Sequence, residues 1–139
     1  QQSSAGKSIK KQLENLYNKN LERFKKSDDI LKTKEKKLIA QKNILSQEDF
    51  QKELSSLRVE IINFQKEQAK VRDDINKLRV TATNKLISQL SPILQEYAKK
   101  NSVSLILQKK NIVMGKKEIE ITDEILEITN KEIKNININ

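Results

Sequence analysis

Between Phe50 and Ala82, ten positions follow each other at alternating spacings of four and three: Phe50, Leu54, Leu57, Ile61, Phe64, Gln68, Val71, Ile75, Leu78 and Ala82. Nine of them are apolar and only Gln68 is polar. Residues three and four apart lie on the same side of an α-helix, so this row forms one continuous stripe. Sustained over four heptads, such a stripe is a coiled-coil seam and needs a second helix to cover it. Apolar residues continue at Leu86, Leu90, Ile93, Leu94 and Tyr97, with Pro92 among them. A proline inside a helix costs about 3 kcal/mol unless the helix kinks or restarts there.

The covering helix is found upstream. Ser8 to Asn43 contains no Gly or Pro, and Tyr17, Phe24, Leu31, Leu38 and Leu45 recur every seven residues. The alternate row, Asn20, Ser27, Lys34 and Gln41, is polar, so this helix offers half a seam, helped by Ile9, Leu13 and Leu16. Ser46 has the chemistry of a helix cap, with Asp49 three residues on as its reciprocal acid. Leu45 and Phe50 have hydrophobic-staple spacing around that cap. A short turn favours antiparallel neighbours. Folding about residue 46 pairs Leu38 with Leu54, Leu31 with Ile61, Phe24 with Gln68 and Tyr17 with Ile75.

The rest of the composition suits this shape. Hydrophobic residues (35%) and charged residues (34%) are nearly equal, which fits long exposed helices better than a thick core. The net charge is +9, and it sits entirely within residues 1–100, which carry 22 Lys/Arg against 13 Asp/Glu. Such a surface attracts acidic partners, whether nucleic acid, anionic lipid or acidic protein. There is no His and no Cys, which removes the usual bases, thiol nucleophiles and transition-metal ligands. Asp28-Asp29 and Asp73-Asp74 are adjacent acids that point in different directions on a helix, so they read as solvated charges. Ala5-Gly6-Lys7-Ser8 echoes the end of a phosphate-binding loop, but Gln1 stands where the first glycine belongs and no strand precedes it. The expected protein is no enzyme and has no catalytic residue, metal site or cofactor. No run of about 18 apolar residues spans a membrane, and no signal peptide is visible.

After Asn101-Ser102 the pattern changes. Val103 to Leu107 and Asn111 to Met114 are rich in β-formers, Gly115-Lys116-Lys117 reads as a turn, and Glu118 to Ile121 alternates as a strand edge would. Two short strands cannot hold a sheet alone. They need a further strand from this chain or from a partner subunit. Thr122 is expected to cap a short final helix through Ile125 and Ile128, and the closing Asn-Ile-Asn-Ile-Asn to fray. The expected fold is therefore mostly α, a long antiparallel coiled-coil hairpin over 8–100 with its turn near 44–47, and a small β-containing body from 1–7 and 101–139.

Six apolar residues do not fit the seam: Ile30, Ile39, Ile44, Val59, Ile62 and Val80. They read either as scattered surface hydrophobes or as a diffuse lining for an unfolded chain.

Ser3-Ser4-Ala5-Gly6-Lys7 running straight into a charged helix resembles the opening of the Skp/OmpH-like family. Val103 to Leu107, then Lys109, Asn111, Ile112 and Val113, is similar to its strand pair, and Ile121-Thr122-Asp123-Glu124-Ile125 to the start of its closing helix. The resemblance runs from Ser3 to about Asn130. It implies a homotrimer with a small β-barrel-like body and three helical tentacles around a cavity, which holds unfolded outer-membrane proteins in the periplasm without ATP. Leu105, Ile106, Leu107, Ile112 and Val113 would then join the subunits, while the six off-seam residues and Lys25, Lys36 and Lys66 would meet the client. An anionic membrane surface is a further partner for the basic helices. Two features depart from the family: the strand usually found before Ser3 is missing, and Gln108 stands where an acid is common. A basic nucleic-acid-binding coiled coil is one alternative, weakened by interspersed acids and the lack of an aromatic platform. A structural spacer is another, for which the β-rich region after residue 102 has no use.

Overall fold

The computed structural model describes residues 3–138. Gln1, Gln2 and Asn139, which the expected body includes, lie outside them. Three α-helices follow in order: α1 (Ser4–Ala40), α2 (Gln47–Lys100) and α3 (Thr122–Glu132), with short 3-10 turns at Lys109–Asn111 and Lys117–Ile119. At 1.5 Å per residue, α1 is about 55 Å long and α2 about 80 Å.

The helix ends have identifiable causes. At the start of α1, the Ser3 hydroxyl accepts the Gly6 N–H at 3.1 Å. Ala5-Gly6-Lys7-Ser8 is thus the opening turn of a helix. At α2, the Ser46 hydroxyl accepts the Asp49 N–H at 3.1 Å and donates to the Asp49 carboxylate at 2.6 Å. Both members of the expected cap are engaged, although Asp49 takes the hydroxyl proton where a full capping box would take the Ser46 N–H. α2 runs through Pro92 without a break. It ends where Ser102 turns left-handed at φ 52° and Val103 N–H reaches back to the Ala98 carbonyl at 2.9 Å. That six-to-one bond is the Schellman arrangement. Thr122 is not the cap of α3. It is already helical, and Ile121 precedes it with no side-chain cap.

The chain forms two compact units, Glu14–Lys77 and the remainder. Within the first, α1 and α2 pair antiparallel. Leu38 and Leu57 are buried, and every α2 seam position from Phe50 to Ile75 is at least half-covered except Gln68. The rings of Phe24 and Phe64 meet edge to face, with centroids 5.8 Å apart. Arg23 pairs with Glu67 at 2.8 Å and Lys34 with Glu60 at 2.6 Å. The Phe24 partner is therefore one turn away from Gln68, the residue expected opposite it. An aromatic ring gains more from a second ring than from an amide, and Gln68 stays in water.

The second unit carries the larger core: Ala5 and Ile9 of α1, Ala82 and Ile93 of α2, and Ile133, Ile136 and Ile138 after α3. The expected fraying of the closing segment is overturned for its described residues. Ile136 is the most deeply buried large side chain among them, 1% exposed. Low complexity hid an alternation in which isoleucines point inward and asparagines outward. The β-containing body is also not found. Among the described residues no strand forms. Backbone at Gln108, Ile112, Lys116 and Glu120 is extended, but the two 3-10 turns interrupt it and no second edge is available to pair with.

Candidate functional site

In the hairpin unit the off-seam apolar residues stay in solvent. Ile30, Ile39, Ile44, Val59 and Ile62 are all exposed, Ile44 in the turn most of all at 80%. Val59 and Ile62, three apart, share one face of α2. The others are spread along α1 and the turn. Lys25, Lys36 and Lys66 are likewise exposed beside them. Sequence reasoning missed Leu21, which is 54% exposed and also off the seam. It placed Tyr17 on the seam, yet Tyr17 is 57% exposed, as a phenol that keeps its hydroxyl in water can be.

The charges of this unit are partly neutralised within it. Besides the two interhelical pairs, Lys32 and Asp28 meet at 2.6 Å along α1. The Asp28 carboxylate, by hydrogen bond and charge, raises the Lys32 ammonium above its usual value. Single-turn ion pairs of this exposure contribute little to stability.

In the other unit, Val80 and Ile87 are exposed two turns apart on one face of α2. Ile87 also lay off the expected seam and was overlooked. The apolar residues after α2 are more concentrated. Leu105, Leu107, Ile112 and Val113 are exposed, Val113 fully so, while Ile106 is half-buried. Met114 and Ile119, not singled out from sequence, are exposed in the same segment. An open groove of about 920 Å³ runs along it, lined by Val103, Leu105, Ile112, Val113 and Ile119 among others. A second groove of about 330 Å³ lies between α2 and α3, walled by Leu86, Leu90, Leu94, Ile125 and Leu126.

Two polar contacts brace this segment. Lys109 and Glu120 form an ion pair at 2.7 Å that closes the loop between them. The Lys109 ammonium, as hydrogen-bond donor, holds the Glu120 carboxyl below the ordinary glutamate value despite some desolvation. The Tyr97 hydroxyl donates to Glu124, tying α2 to α3, and that bond raises the phenol above its usual value. Among the described residues no group of three or more metal-binding side chains forms, and no helix is long and apolar enough to cross a membrane. The surface can offer dispersed apolar contact on basic helices and one concentrated apolar strip.

The family model described as outer membrane protein (OmpH-like) matches residues 1–128. A crystal structure from Caulobacter crescentus CB15, described as a candidate outer membrane chaperone (OmpH-like), superposes with a TM-score of 0.92 at 16% identity. The match covers 97% of this chain and 80% of that one. At that identity the likeness concerns the fold. No curated protein matches the chain.

Proposed function

Since the chain belongs to the OmpH-like family of outer membrane proteins, we propose that it is a periplasmic holdase that keeps unfolded outer-membrane proteins soluble without ATP. The observation that carries this reading is the dispersal of exposed Ile30, Ile39, Ile44, Val59 and Ile62 along the hairpin. An unfolded client has no fixed shape, so many weak apolar contacts suit it better than one cleft. Val80 would extend the same lining, and Lys25, Lys36 and Lys66 would draw in acidic clients through the protein's net charge of +9.

Subunits would meet through Leu105, Ile106, Leu107, Ile112 and Val113, giving a homotrimer. A concentrated apolar strip this exposed is a self-association surface in want of a partner. The domain division proposed is a hairpin over 8–100 and an assembling body from the remaining residues. An anionic membrane surface suits the same excess of lysine. Nucleic acid suits it less, because Glu60, Glu67 and Asp28 neutralise bases on the helices.

The test is light scattering of a denatured β-barrel protein diluted into buffer with this protein and no nucleotide. Suppressed aggregation is expected, with capture slowing as salt rises and release little changed. Unchanged aggregation at stoichiometric protein rejects the holdase. Tighter binding of duplex DNA than of the unfolded client favours the nucleic-acid reading.

A further inference from the structure

The segment after α3 is held the way a bound peptide is held. Residues 134–138 have no secondary structure, yet Ile136 and Ile138 are buried while Asn135 and Asn137 face outward. Gln12 of α1 reads the backbone between them. Its side-chain amide donates to the Ile136 carbonyl at 2.7 Å and accepts the Ile138 N–H at 3.5 Å. A carbonyl and an N–H two residues apart on one edge are what a neighbouring strand would engage. Here one amide side chain takes the place of that strand. Ser8 adds a bond from its hydroxyl to the Asn135 side-chain oxygen at 2.6 Å. Backbone contacts that ignore sequence, plus apolar sites for alternate side chains, are the two parts of extended-peptide recognition. The occupant belongs to no helix, so it can leave without unwinding one.

We propose that this seat is an exchangeable peptide site, and that an extended client segment with an apolar residue at every second position displaces residues 134–138 from it. The inference rests on the holdase reading. Strands of outer-membrane barrels alternate apolar and polar residues, so their unfolded chains repeat the pattern that the seat already accepts. The resident segment competes at the high effective concentration of a tethered ligand. A free short peptide loses to it, whereas a client already held on the helices is tethered too and competes on equal terms. Capture comes first and exchange second, and exchange prolongs retention.

The test uses the full chain carrying Ile136→Asn and Ile138→Asn, with a dye-labelled peptide Lys-Asn-Ile-Asn-Ile-Asn as probe. Fluorescence anisotropy is expected to show binding at least about tenfold tighter than to the parent. A peptide of the same composition with its isoleucines adjacent should not bind. Equal affinity for parent and variant, or no binding to a variant of unchanged helical circular dichroism, overturns the proposal. A measurement on the unaltered chain guards against a variant that fails to fold. Amide exchange at Ile136 and Ile138 should quicken when an unfolded β-barrel protein is added, while α1 amides near Gln12 should not. Unchanged protection there, with clients still held soluble, sinks the exchange alone. Peptide binding by a variant whose parent holds no client sinks the holdase reading alone.

Discussion

At the scale of single residues, Ser102 carries the clearest local cost. It adopts φ 52° to close the Schellman turn after α2, a conformation that glycine reaches without strain. Ser102→Gly should therefore stabilise the fold by about 1 kcal/mol, read as a higher urea midpoint at constant slope. A lower midpoint would mean that the serine side chain has a role its backbone does not explain. Glu120 makes a second test. Its carboxyl is held below the ordinary value by Lys109, so the stabilisation is present above the unfolded-state value and is lost as pH falls through the lowered one. An NMR titration should place its midpoint below that of a free glutamate and move it up in Lys109→Met. An unmoved midpoint would show that the pair does not form. The Ser46–Asp49 cap could be read from sequence because its chemistry lies within four residues. The Thr122 cap misled because the helix begins at that residue itself, whereas a cap must stand just outside it.

At the scale of elements, legibility followed periodicity. The α2 seam has one side chain per turn pointing one way, and burial follows it with the sole exception of Gln68. Register was harder, since α1 supplies only half a seam and the choice between neighbouring turns falls to a few side chains. The pairs Lys34–Glu60 and Arg23–Glu67 fall on either side of the expected register, and Phe24 leans one turn along to reach Phe64. A double-mutant cycle with Phe24→Ala and Phe64→Ala should give a coupling of about 0.5–1.5 kcal/mol. Zero coupling, with Phe24 coupled instead to position 68, would show that the two rings do not pack on each other. The segment 103–114 shows the opposite limit. Its β-forming residues are extended at Gln108 and Ile112, as propensity implies. A strand, however, is a relation between two edges, and composition reports only one of them. The closing isoleucines were misread for a related reason, because a period-two pattern five residues long looks like low complexity until a surface covers it.

At the scale of the whole molecule, the strip of Leu105, Leu107, Ile112 and Val113 sets the expectation for assembly. Leu105→Asp places a charge where an apolar contact is expected, at a cost of several kcal/mol if it is buried unpaired. Sedimentation should show the oligomer dissociating in that variant and not in Ile44→Asp, whose side chain stands 80% exposed in the hairpin turn. An oligomer unchanged by both would move the subunit contact elsewhere. The candidate client residues were legible as departures from the seam, which is why Ile30, Ile39 and Val59 could be named. Their collective role was not, since a diffuse surface has no motif. The core that joins Ala5 and Ile9 to Ile136 has a consequence in time. Gln12 and Ile136 bond across 124 residues of sequence, whereas the hairpin contacts are far more local. During synthesis the helices can pair early, but Ala5 and Ile9 wait for isoleucines made only after the whole hairpin. That core cannot lock until those isoleucines have emerged. Separating the two halves of one core by the length of the hairpin makes the order of the sequence a clock for folding.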